Sequence, residues 1–154
     1  MFDESEQRVV DDVARYGWHL VGVNADVDGP AFAYTIGLVR TLGHPEVIMF
    51  GLAIDTMWRI LNAIGEQVRG GHSFVAAGLY DDLIERYPCK VVPVAERFHS
   101  RYLGFAMWYA RYAGAIGDLS AVQCLWPDRA GRFPDEAGCD PSIVALQPRL
   151  TEDA

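Results

Sequence analysis

The chain has 154 residues, 51% of them hydrophobic, with 21 acidic against 13 basic side chains and a net charge of −8. A chain of this length buries roughly 68–70% of the surface its unfolded form exposes, so one domain spanning 1–154 is the expectation. The longest apolar run, Val47 to Ile54, falls far short of the roughly 20 residues of a membrane-spanning helix, which excludes such a helix.

Val9, Val13 and Tyr16 recur at helical spacing before Gly17, which predicts an acidic opening helix over about 4–16. Asp3, Glu4 and Glu6 give this end the wrong charge for a signal peptide, and a cytoplasmic location is the expectation. Strands are predicted at Trp18–Val23 and Phe32–Leu38, joined by a turn at Asp28-Gly29-Pro30 into an antiparallel hairpin. Val47–Leu52 is apolar on both faces, as in a central strand. A helix over about Asp55–Arg69 follows, with Met57, Leu61, Ile64 and Val68 as its apolar stripe and Gly70-Gly71 at its end. Short strands are expected at Phe74–Ala77 and Cys89–Val94, a second long helix at Glu96–Tyr112, and a last strand at Ala121–Trp126. Residues 127–154 are rich in loops, with Pro127–Pro141 mostly turns. The pattern predicts an α+β domain with a mainly antiparallel sheet and two or three packed helices.

The charge is uneven: residues 1–12 carry five acids against one Arg, and residues 128–154 carry six against three. Acidic ends oppose phosphate backbones, so nucleic acid is excluded as the expected partner. Cys89, Cys124 and Cys139 show neither a CxxC pair nor close Cys/His spacing, and reduced thiols are expected. Lys90, the only lysine, follows Cys89 and not a Gly-rich loop, so there is no P-loop. Asn24–Gly29 matches the first half of a calcium-binding EF-hand loop. Position twelve is Thr35, however, inside a predicted strand where the motif requires a bidentate Glu entering a helix. Trp126-Pro127-Asp128 is similar to the acid loop of tyrosine phosphatases, yet no Cys is followed six positions later by the phosphate-gripping Arg. The chain has no GxSxG, HExxH or GxGxxG, and its four histidines lack metal-ligand spacing. No standard catalytic motif is present, and no metal site is expected.

Two places carry candidate binding chemistry. On the second long helix, Phe98, Tyr102, Phe105, Tyr109 and Tyr112 form one stripe. At about 100° per residue, Arg97, Arg101, Trp108 and Arg111 fall beside it. The rings read as core and the arginines as its rim, or else as an anion-binding wall on which a planar ring stacks. The other place is the small strand face Ala33, Thr35, Gly37, which leads into Gly43-His44-Pro45-Glu46. Thr35, His44 and Glu46 would offer a hydroxyl, an imidazole and a carboxylate to a small molecule, with the arginine strip as a possible second wall.

Phe32-Ala33-Tyr34-Thr35-Ile36-Gly37-Leu38, Gly43-His44-Pro45-Glu46, Phe50-Gly51-Leu52, Tyr87-Pro88-Cys89, Gln123, Trp126-Pro127-Asp128 and Gly131-Arg132-Phe133-Pro134 resemble an uncharacterised family of small bacterial proteins, known only as a domain of unknown function. The resemblance covers nearly the whole chain and implies no activity; Asp135 stands where such sequences would carry Trp. The order strand, Asp28-Gly29-x-Ala31, strand, His44-Pro45, apolar strand, helix is also similar to the opening of flavin-reductase-type split barrels. That resemblance implies flavin mononucleotide as cofactor, with Thr35 in the hydroxyl role toward its phosphate and no matching basic ligand. The leading expectation is a ligand- or protein-binding module without demonstrated catalysis, its partner a small anionic molecule or a protein. The alternatives are a flavin-binding oxidoreductase-like protein and an acidic inhibitor comparable to bacterial immunity proteins.

Overall fold

The Asp3 carboxylate accepts the Glu6 amide at 2.8 Å while the Glu6 carboxylate accepts the Asp3 amide at 2.9 Å. This reciprocal cap satisfies two orphan donors and starts helix α1 (Glu4–Tyr16), whose buried face is Val9 and Val13. The computed structural model describes residues 1–75, 78–84 and 87–154. After α1 come β1 (His19–Val23) and β2 (Phe32–Ile36), paired antiparallel with Val21 opposite Tyr34. Their connection is a tight turn in which Asp26 and Gly29 bridge and the Asp26 carboxylate accepts the Asp28 amide, a local use of the carboxylate that stiffens the turn.

The predicted second strand stops earlier than expected. Gly37 has φ +110°, a backbone conformation that glycine adopts at little cost, and it turns the chain into a short helix, α2 (Leu38–Leu42). Five residues are too few for a helical period to show in the sequence. β3 (Glu46–Phe50) is buried along its whole length, as its two-faced apolar pattern requires, and α3 (Ile54–Arg69) buries Met57, Leu61, Ile64 and Val68.

The strand expected at Phe74–Ala77 is irregular at Phe74 and Val75; residues 76–77 lie outside the described residues, and β4 (Gly78–Ile84) begins after them. β5 (Tyr87–Pro93) follows. The expected continuous helix over Glu96–Tyr112 is divided. A 3₁₀ turn at Glu96–Phe98 leads into α4 (His99–Tyr102), Leu103 leaves helical geometry at φ −115° and ψ 33°, and α5 (Gly104–Tyr112) starts a new helix. β6 (Ala121–Leu125) completes the sheet, and α6 (Pro141–Leu146) interrupts the C-terminal turns, capped by Asp140.

The six strands are ordered β1-β2-β3-β6-β5-β4. Neighbours are antiparallel except β3 and β6, which run parallel with Val47 opposite Val122. The fold is α+β, with a mixed, mainly antiparallel sheet. Alternation along the strands splits the core into two layers. Ala33, Val47, Met49, Val122 and Cys124 join α3 and Trp18 on one face, and Tyr34, Ile36, Ile48 and Phe50 join Val9, Val13, Leu103 and Tyr109 on the other. Gly65 lets α3 approach Trp18 closely: a Cβ there would lie 2.6 Å from the indole. The three cysteines are free and buried, and the Cys124 thiol is pushed up by its hydrogen bond with Cys89 and by burial. Among the described residues no helix is long and apolar enough to cross a membrane.

Candidate functional site

Glu46 opens β3 and is 3% exposed, a position that demands partners for its carboxylate. It has four. Oε1 accepts the Thr35 hydroxyl at 2.8 Å and the Leu38 amide at 3.1 Å, and Oε2 accepts the amides of Gly37 and Val39 at 3.0 and 3.3 Å. The three amides are the otherwise unpaired donors at the start of α2, so the carboxylate caps that helix from across the fold. Thr35 is in turn fixed by the Val47 amide, which it accepts at 3.0 Å. Burial raises the Glu46 pKa to about 7 against the pull of these donors. Thr35 and Glu46 thus meet as the sequence suggested, but as a saturated pair whose work is to hold α2 in place.

That placement matters because α2 carries Arg40 to the rim of a cleft of about 280 Å³ between α2 and α5. Its walls are apolar and small, with Ala106, Ala110 and Ala113 on one side and Val39 on the other. Three polar residues line it besides Glu46: Tyr109 and the exposed Arg40 and Asp118, the last from a 3₁₀ turn at Ile116–Asp118. Tyr109 is largely buried, but its hydroxyl, which has no hydrogen-bond partner among the described residues, remains accessible to solvent. Burial raises the phenol's pKa, and the nearby Arg40 charge offsets part of that rise. Neither Arg40 nor Asp118 has an ion-pair partner among the described residues.

The remaining sequence candidates lie elsewhere. His44 is buried and spends both ring nitrogens on the backbone, Nδ1 donating to the Pro45 carbonyl at 2.8 Å and Nε2 accepting the Phe74 amide at 3.0 Å. Burial lowers its pKa and holds it in this neutral form. Arg97 and Arg101 line a second cleft, of about 770 Å³, below the β1–β2 turn. Arg97 is tied to the C-terminal segment through the Glu152 carboxylate at 3.0 Å and the Thr151, Glu152 and Ala154 carbonyls. Arg101 lies 5.1 Å from the centre of the Tyr102 ring, next to Phe32 and Phe50. Trp108 stacks on Tyr112 with ring centres 5.9 Å apart and receives Phe2 edge-on. Arg111 is exposed on α5. The break at Leu103 separates these groups: the half of the stripe before it faces the second cleft, while Tyr109 faces the first. Tyr109 is buried as expected, whereas Phe98 and Phe105 are only half-buried.

Two larger hollows are occupied by their own pairings. In the groove of about 1010 Å³ between α1, β1 and α3, His19 meets Asp12, Trp18 donates to Asn62 and Arg69 meets Glu66. Beside the cleft of about 640 Å³ at Trp126, Asp128 accepts the amides of Ala130, Arg132 and Asp140, and these bonds, the Arg132 one foremost, lower its pKa. The Trp126 indole donates to the Phe50 carbonyl at 2.7 Å, so Trp126-Pro127-Asp128 acts as a loop staple. The residues that sequence reasoning missed are Arg40 and Asp118; the one signal was Tyr109, noticed as a ring and not as a hydroxyl.

The sequence model of a family described as a domain of unknown function, DUF4262, matches residues 12–140. No curated protein and no solved structure matches the chain.

Proposed function

Because the chain belongs to this family of unknown function, its role has to be argued from the site, and we propose that it is a binding module for a small molecule held in the α2–α5 cleft. The observation that carries this reading is an apolar cleft of about 280 Å³ lined by Arg40, Tyr109 and Asp118, whose side chains have no hydrogen-bond or ion-pair partner among the described residues. A few polar groups converging on an apolar hollow is the usual form of a small-molecule site. Glu46 and Thr35 serve it indirectly, by fixing α2 and with it Arg40.

A second reading follows from Arg101 over Tyr102: a planar anion, flavin mononucleotide among them, stacking in the larger cleft. A thermal-shift screen of small charged metabolites and flavin mononucleotide separates the two. Under the leading reading a stabilising ligand loses its effect in Arg40→Ala and Tyr109→Phe but keeps it in Arg101→Ala. A ligand that stabilises Arg40→Ala and Tyr109→Phe as well as the parent protein overturns it, because native-state binding must show in the melting temperature.

A further inference from the structure

Two residues of opposite charge line the α2–α5 cleft without pairing with each other. Arg40 stands on α2 and Asp118 on the turn after α5, both line the same cleft of about 280 Å³, and they are more than 4.0 Å apart at their charged atoms. Asp118 is held in place by its own turn, in which its amide donates to the Ala115 carbonyl at 2.9 Å. Arg40 is placed by the Glu46-capped helix. The cleft is also lined by the methyl-sized side chains of Ala106, Ala110 and Ala113. We infer that the ligand of this cleft is a short-chain amino acid in its zwitterionic form, its carboxylate on Arg40 and the Tyr109 hydroxyl and its ammonium on Asp118. The inference rests on the binding-module reading above and adds the class of ligand.

The chemistry disfavours the simpler ligands. A plain carboxylate would satisfy Arg40 and Tyr109 but would bring a like charge toward Asp118, and a plain amine would meet Asp118 while leaving the guanidinium and the phenol unused. Glu46 does not compete for the ammonium, because all four of its lone-pair positions already accept bonds. Tyr109 stays a donor, since burial raises its pKa. The volume lies just below the roughly 300–1,000 Å³ of pockets for drug-sized ligands, which suits a short ligand, and the alanine wall offers it an apolar surface.

Calorimetric titration of the intact protein with L-alanine, β-alanine, 4-aminobutyrate, propionate and propylamine tests the class of ligand and the spacing of its charges together. At least one of the three amino acids is expected to bind tenfold or more tighter than propionate and propylamine. Arg40→Ala and Asp118→Ala, both surface substitutions, are each expected to weaken it tenfold or more. If propionate binds as well as the amino acids and Asp118→Ala changes nothing, the zwitterion inference fails while the binding-module reading stands. Failure of all five probes also overturns the inference. A probe whose binding survives Arg40→Ala, Tyr109→Phe and Asp118→Ala overturns both.

Discussion

Glu46 and His44 lie two positions apart and respond to pH in opposite directions. The Glu46 carboxyl titrates near 7 in the fold and near 4.5 when unfolded, so the native state holds the proton more tightly. Its contribution to stability is therefore fully present below about pH 4.5 and is lost as pH rises through about 7, a change on the order of 3 kcal/mol. His44 is lowered by burial, so its contribution is present above its unfolded pKa and is lost as pH falls through the folded one. Glu46→Gln isolates the first effect. It is expected to be less stable than the parent at low pH, because its amide group presents hydrogens to donors, and to lose the decline between pH 5 and pH 8. Denaturant unfolding at both pH values measures this, and a variant that keeps the parent's decline refutes the assignment. The pairing of Thr35 with Glu46 was legible in the small strand face and the loop after it. The saturation of the carboxylate was not, since its partners are main-chain amides that no side-chain pattern reports.

At the scale of elements, periodicity located α1, α3 and five of the six strands, missed β4 and the short α2 and α6, and failed where geometry broke the pattern. The alternation of Phe32, Tyr34 and Ile36 is that of β2, and the α3 stripe is buried as spaced. The stripe from Phe98 to Tyr112 misled because its spacing runs unbroken through Leu103, while the backbone does not. Gly104 was the one local hint of the break, and in restarting the helix there the fold sends Arg101 and Tyr109 to different clefts. α3 shows the reverse case, an exposed rule overridden by packing. Replacing glycine by alanine within a helix normally gains about 1 kcal/mol. At Gly65 the added methyl would strike the Trp18 indole, whose N–H donates to Asn62 at 2.9 Å. Gly65→Ala is therefore expected to destabilise by about 1–3 kcal/mol, as overpacking does, with altered tryptophan fluorescence. A rise in melting temperature would contradict it.

For the molecule as a whole, the order of the predicted elements foretold an α+β fold, but the meeting of Arg40, Tyr109 and Asp118 depends on how α2 and α5 pack, and no spacing in the chain encodes that. The C-terminal segment is likewise placed by tertiary bonds: the Gln123 side chain, in the middle of β6, donates to the Pro148 carbonyl at 2.7 Å and accepts the Leu150 amide at 3.1 Å. Leu150 also accepts the Ala95 amide at 2.7 Å and fills the core. Gln123→Ala is expected to cost about 1–3 kcal/mol by leaving buried backbone groups unpaired. Hydrogen exchange at the Leu150 amide should accelerate more than at the β3 amides, and equal protection in the variant would show that the segment is held by other means.

The single parallel seam in the sheet joins β3 to β6, segments that begin 75 positions apart at the paired residues Glu46 and Ala121. On either side of it the chain meanders between neighbours, β1-β2-β3 and β6-β5-β4. The first meander closes only short connections, the second includes the helical connection 94–120 between β5 and β6, and the seam closes the longest loop of all; pairing of that kind is slow because its entropy is lost before its contacts form. During synthesis the first meander emerges with the inner edge of β3 bare, buried side chains on both faces and nothing yet beside it. That edge is the aggregation hazard of the nascent chain until Ala121–Leu125 arrives to cover it.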